Sequence, residues 1–374
     1  MEYRQADLLE RIRTLTGRDI QRVPRIFKDT TQFMSITPGD VIRLGDYDYW
    51  VYSNAREGRF GIDDQPKFWV KKALDLCSNT RKIVKLVFRE TFKGRIGTLH
   101  FDCVRSPEKE ADVLSVTQGH SNFMQGRQVK DSVGNLVRIL DIVPGPSLYQ
   151  YLRDLDLSHK EYFNTLFPEV MYRFRESVAA IAQLHEQGRH HGDIRADHLL
   201  WTGTLKTLAW IDFDYDMGGS DMDLFCLGNV LQQVVGKGRH SLENIRTTPG
   251  AYPDFKSDLE EGDMSLMYSH RVMNLQKLFP YIPDELNAIL MRFSSSSVPC
   301  ARTGKPYGGA KDLLNDLCKL FPRFAGISSN PAVNYPFFMP HKHFGGESNL
   351  ITLQKTGCQM GKIDTTMEEW AGSP

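Results

Sequence analysis

Two rhythms of apolar residues divide the chain. From about residue 41 to 143 they fall in short runs rich in aromatic and β-branched side chains. YDYWVYS (47–53), KFWVKKALDL (67–76), RKIVKLVF (81–88) and NLVRILDIV (135–143) predict strands. SPEKEADVLSV (106–116) interrupts them as a helix: Ser106 suits the cap, Pro107 the first turn, and its acids the positive helix start. After the breaker PGPS (144–147) the period lengthens to that of amphipathic helices. These are SLYQYLRDL (147–155), PEVMYRFRESVAAIAQLHEQG (168–188), DLFCLGNVLQQVVG (223–236), DELNAILMRFS (284–294) and GGAKDLLNDLCKLF (308–321). Among them HLLW and LAWIDFD, either side of a turn, predict a short hairpin. At the start, Leu8, Leu9, Ile12 and Leu15 share one side of a charged helix.

This order predicts an α+β, two-lobed architecture: a small antiparallel sheet with one helix, then a mainly helical lobe. The expected divisions are a helical extension (1–40), a strand-rich lobe (41–143), a helical lobe (144–325) and an irregular C-terminal arm (326–374). Segment 237–282 has no clear period. Its acids in SDLEEGD suit a cationic ligand, although such a run is usually a solvated face.

Composition narrows the function classes. The 374 residues carry 46 basic and 46 acidic side chains, without the basic excess expected of a nucleic-acid binder. No window approaches 18 unbroken apolar residues and the start lacks a signal-peptide core, so neither a membrane span nor export is expected. Six cysteines without a CxxC pair read as reduced thiols of a cytoplasmic protein. The oligomeric state stays open.

The hairpin carries the chemistry. It places Asp193 before its first strand and Asp212 at the end of its second, 19 positions apart. A carboxylate pair delivered in this way suits metal–phosphate work. One acid orients a hydroxyl and accepts its proton, while the other holds a divalent cation.

The motifs resemble the protein-kinase-like superfamily, both its atypical protein kinases and its small-molecule kinases of the aminoglycoside and choline type. HGDIRADHLL resembles the catalytic loop, IDFD the metal-binding D-F-G motif, and DLFCLGNVL the helix whose Asp, here Asp223, buttresses that loop. KIVKLVF is similar to the strand bearing the phosphate-binding lysine, EADVL to the helix bearing its paired Glu, and RILDIVPGPSL to the hinge. PCARTGKPYGGAKDLLNDL resembles a late motif through Pro299 and Arg302, so the likeness spans about 41–322. It implies an ATP-dependent phosphotransferase using Mg²⁺ or Mn²⁺, with a protein or small-molecule hydroxyl as acceptor. Lys85, held by Glu110, would fix the α/β-phosphates, and Asp141 to Val143 would meet the adenine. Asp212 would ligate the metal, Asp193 would act as base, and Arg195 would approach the γ-phosphate. Gly58 and Gly61 of EGRFG would cradle phosphates through backbone amides, or simply form a hairpin turn; the following IDDQP does not read as a clean strand.

Several positions depart from the pattern. His198 replaces the metal-binding Asn, and imidazole suits Mn²⁺ better than Mg²⁺. It is read as a retuned metal ligand or as a structural hydrogen-bonder of the loop. His191 is read as structural packing against the metal-binding loop. Asp214 replaces the glycine of D-F-G, with Asp216 nearby. Ten residues separate Asp212 from Asp223, at most roughly 35 Å of chain, and A-P-E is absent. With Gly192 where a switch-reading Arg would stand, control by phosphorylation of this segment is not expected. The alternatives are a non-catalytic pseudokinase serving as a nucleotide-binding or regulatory module, and a nucleotidyl transferase with inverted ATP. In the tail, HKH (341–343) could chelate a metal given further ligands, and the aromatic residues could pin the arm to a lobe.

Overall fold

The computed structural model describes residues 5–59, 62–96, 99–202, 207–297 and 306–325. Gly61, Pro299, Arg302 and the C-terminal arm with its HKH triplet lie outside the described residues.

The fold is α+β. Helix α1 (Gln5–Thr16) leads into strands β1 (Ile26–Phe27), β2 (Val41–Leu44), β3 (Tyr47–Arg59), β4 (Ile62–Asp75) and β5 (Thr80–Lys85). A hairpin, β6 (Glu90–Ile96) and β7 (Leu99–Arg105), precedes helix α2 (Pro107–Val116) and strands β8 (Gly126–Lys130) and β9 (Leu136–Asp141). Then come α3 (Leu148–Asp154), α4 (His159–Thr165), α5 (Phe167–Glu186), β10 (Leu199–Thr202), β11 (Thr207–Trp210) and β12 (Tyr215–Met217). Helices α6 (Gly219–Gly236), α7 (Leu242–Thr247), α8 (Asp284–Met291) and α9 (Ala310–Ala325) complete it. Among the described residues no helix is long and apolar enough to cross a membrane.

Seven strands form a mixed sheet in the order β1-β2-β3-β4-β5-β9-β8, antiparallel except for β1 on β2. One face buries Ile42, Tyr49, Val51, Val70, Val84 and Ile139, while Leu8 and Ile12 of α1 cover Val41, Trp50 and Leu74. Strand β4 begins at Ile62 and includes IDDQP, against expectation. Pairing with β3, Arg56 opposite Pro66 and Glu57 opposite Gln65, holds these polar residues extended. Gly58 therefore lies near the end of β3 in a long irregular hairpin.

Helix α2 forms as its sequence suggests. Ser106 Oγ accepts from Lys109 N, Pro107 occupies the first turn, and Glu108 and Glu110 face the positive helix end. The long α5 buries Phe167, Val170, Met171, Phe174, Val178, Ile181 and Leu184, the inward stripe of a 3.6-residue period. It packs on α6, α9 and β11. Segment 237–282 is mostly irregular; in SDLEEGD, Asp258, Glu260 and Glu261 are exposed, while Asp263 is buried and accepts from Lys277 and Asn274 at 2.9 and 2.7 Å.

The hairpin β6–β7 has no counterpart in the sequence-based expectation. It joins β12 in a separate antiparallel sheet of three strands, with Tyr215 opposite Arg105 and Met217 opposite Cys103.

Candidate functional site

Lys85 is the last residue of β5, paired with Val70 on one side and Arg138 on the other. Its ammonium is buried and donates to Glu110 Oε1 at 2.6 Å and Asp212 Oδ1 at 2.5 Å, with Asp214 Oδ2 at 3.5 Å. Burial works against this charge, but Asp212, Asp214 and Glu110 together outweigh it and raise the lysine above its ordinary range. Glu110 is fully buried, and its second oxygen accepts from Arg138 Nε at 3.1 Å.

Asp212 lies just beyond β11, at a positive φ of 67° that side chains other than glycine seldom adopt. Phe213 is wholly buried there and meets the His191 ring edge-on, so His191 packs as expected. Burial pushes His191 down to about 3, so the imidazole is neutral. Burial would raise Asp212, yet Lys85, Lys67 and His198 hold it well below the carboxylate range. Lys67 Nζ, on β4, stands 3.9 Å from Asp212 Oδ2.

The loop before β10 carries Asp193, whose buried carboxyl is raised by desolvation although His198 and Arg195 pull it down. His198 Nδ1 lies 3.0 Å from the Asp193 carbonyl oxygen and 3.4 Å from Oδ2. A carbonyl only accepts, so Nδ1 carries the proton and Nε2 is left to face Asp212 Oδ2 at 4.0 Å. The histidine thus joins both acids. Arg195 forks onto Asp197 at 2.5 and 3.0 Å, and its charge still reaches Asp193.

Asp223 of α6 anchors this loop. Its oxygens accept from the backbone N–H of His191 at 2.6 Å and of Gly192 at 2.8 Å, and His185 Nε2 lies 3.0 Å away. Lys109 Nζ ties the two loops together, donating to His191 O and to Phe213 O. Gly192 has φ +84°, and a Cβ there would meet Tyr215 O at 1.9 Å.

Lys85, Glu110, Asp193, His198 and Asp212 therefore converge, with Arg195 beside them. Asp141 ends β9 and turns its carboxylate to Lys82 at 2.5 Å, while Val143 packs against the main helical core. Asp214, which replaces the glycine of D-F-G, joins the converging residues beside Lys85; Lys67, Arg105, Lys109 and Arg138 also belong to the constellation and were not singled out for it from sequence. Arg138 alone had a visible signal, a charge within the apolar run NLVRILDIV.

Among the described residues no three His, Cys, Asp or Glu side chains are arranged to hold a metal ion unaided. An ion completed by phosphate and water needs fewer protein ligands, and Mg²⁺ commonly binds so. His198 Nε2 and Asp212 Oδ2 face each other at 4.0 Å, a mixed nitrogen and oxygen pair that suits Mn²⁺ better than Mg²⁺. Two cavities elsewhere, of about 460 Å³ beside Phe27 and Arg43 and about 440 Å³ beside His159 and Tyr281, are lined by none of these residues. No family model matches the chain.

Proposed function

We propose that this chain is an ATP- and divalent-metal-dependent phosphotransferase, moving the γ-phosphate to a hydroxyl of a protein or small-molecule acceptor. The reading takes the strand-rich 41–143 and the helical 144–325 as two lobes of a protein-kinase-like fold. One observation carries it: Lys85 bridges Glu110 and Asp212, while Asp193 approaches Asp212 through His198.

Lys85 holds the α/β-phosphates in this reading, its position fixed by the Glu110–Arg138 pair. Asp212 and His198 would hold Mg²⁺ or Mn²⁺, which supplies charge neutralisation on the phosphates. Asp193 orients the acceptor hydroxyl and takes its proton as the oxygen attacks phosphorus and ADP leaves. Its burial-raised basicity favours that role. Asp223 keeps the loop carrying Asp193 in place through two backbone amides.

A second reading, a nucleotide-binding module without catalysis, draws on the engagement of both Asp212 oxygens by lysines. Thermal shift with ATP and either Mg²⁺ or Mn²⁺ tests binding, and ATP consumption then separates the two. Under the first reading turnover is present and disappears in Asp193→Ala and Asp212→Ala. Binding without turnover in the unsubstituted protein would leave the second reading, and no binding would remove both.

A further inference from the structure

We propose that Arg105 is a positioning residue: carried by the β6–β7 hairpin, it fixes Asp214 and thereby the segment bearing Asp212. Its catalytic consequence rests on the phosphotransferase reading; its structural role does not.

Arg105 closes β7 opposite Tyr215 of β12, and the next amide, Ser106 N, donates to Asp214 O at 2.9 Å. Arg105 is 3% exposed, with the Tyr215, Trp69 and Phe88 ring centroids 4.1, 5.2 and 5.9 Å from its guanidinium carbon. Nε stands 3.5 Å from Asp214 Oδ2, and Nη1 is 3.8 Å from Glu90 Oε2. Among the described residues Nε, Nη1 and Asp214 Oδ1 have no hydrogen-bond partner. The attachment is therefore one of charge in a buried, aromatic-walled site, where Coulomb attraction is weakly screened.

Asp214 Oδ2 also lies 3.5 Å from Lys85 Nζ. One carboxylate oxygen is thus shared between Arg105 and the lysine that holds Asp212. Without Arg105, Asp214 would draw more strongly on Lys85 and compete with Asp212 for it. The backbone pairing of β12 with β7 and the charge pair with Arg105 at the end of β7 hold the same few residues. This explains how a segment of ten residues between Asp212 and Asp223 keeps its place: a neighbouring hairpin supplies a permanent arginine.

The test is amide hydrogen exchange across 212–217, read with turnover, in Arg105→Met, Arg105→Lys, Asp214→Asn and the Arg105→Met/Asp214→Asn double variant. Exchange at 215–217 is expected to quicken at least tenfold in Arg105→Met and in Asp214→Asn. The double variant should be no worse than either single one, since both remove the same pair. Arg105→Lys should recover most of the protection and most of a tenfold loss in kcat. Unchanged exchange at 215–217 in folded Arg105→Met, or effects that simply add, overturns the proposal. Should Arg105→Met fail to fold, Arg105→Lys and Asp214→Asn decide: protection kept in the first and lost in the second supports it, and protection kept in both overturns it. If the unsubstituted protein has no turnover, the phosphotransferase reading falls while the exchange data still decide the role of Arg105.

Discussion

His198 and Asp193 are joined twice: the imidazole Nδ1 donates to the Asp193 backbone carbonyl at 3.0 Å and approaches its carboxylate at 3.4 Å. His198 therefore gives the loop a hydrogen-bond donor through Nδ1 while presenting its other nitrogen, Nε2, toward Asp212. Under the phosphotransferase proposal, His198→Asn should preserve the fold and shift the metal dependence of nucleotide turnover several-fold toward Mg²⁺, because oxygen suits Mg²⁺ better than imidazole does. His198→Ala should lose turnover with both ions and cost about 1 kcal/mol from the vanished hydrogen bond. Steady-state rates across the two metals check this; an unaltered metal preference in His198→Asn removes the ion from His198.

Lys85 is the hub of three carboxylates, and its removal should be felt in stability as well as binding. Lys85→Met leaves Asp212 and Asp214 without their shared cation in a largely buried setting. Losses from breaking such buried pairs are commonly about 3–5 kcal/mol. Denaturant titration should register a drop of that order, and, under the phosphotransferase proposal, ATP should raise the melting temperature of the parent but not of the variant. A variant as stable as the parent would mean that the three acids find other partners.

Much of this constellation was legible before the fold was known, because its chemistry sits on local patterns. The cap at Ser106, the apolar stripe of α5 and the strand–turn–strand around 199–210 are each set by neighbours in sequence. The long-range partners were not legible in the same way. Arg105 meets Asp214, and Lys109 meets the carbonyls of His191 and Phe213, across about a hundred residues of chain. The β6–β7 hairpin was missed because ETFKGRI and LHFDCVR mix charge with apolar residues, and β7 gains its second neighbour only when β12 returns beside it. Strand β4 was truncated at its polar start for the same reason: pairing with β3, not propensity, keeps IDDQP extended.

Gly192 has a steric explanation that the motif alone did not suggest. A methyl group there would lie 1.9 Å from the Tyr215 carbonyl oxygen and 2.8 Å from Lys109 Nζ, and φ of +84° already disfavours an L side chain. Gly192→Ala should thus displace β12 from the loop carrying Asp193 and destabilise the protein by more than about 1 kcal/mol. Gly192→Arg, with a far larger side chain at the same place, should be worse. Melting temperatures and near-ultraviolet circular dichroism of both variants test this; a fully stable Gly192→Arg would show that the two loops do not press together.

Acid should weaken the fold through buried imidazoles that terminate α6. His159 Nε2 donates to Val235 O at 2.9 Å and His240 Nε2 to Gly236 O at 2.6 Å, while Nδ1 of each accepts from Tyr281 or Tyr252. Burial holds both at about 4, and His191 at about 3, against 6.5 for a free imidazole. The unfolded chain therefore takes up protons first as pH drops below about 6.5. Stability from the neutral rings is fully present above that pH and declines toward pH 4, and for His191 toward pH 3. The loss is at most about 1.4 kcal/mol per pH unit for each ring. Asp193, raised by burial, opposes this trend because the folded protein binds its proton more readily than the unfolded chain does. Asp212 and Asp223, both depressed, add their loss only as pH falls below about 4. Between pH 6.5 and 4 the imidazoles should consequently dominate. Replacing His240 by Gln, which can still donate to Gly236 O, should flatten the slope of unfolding free energy over that interval. An unchanged slope would place the acid sensitivity elsewhere.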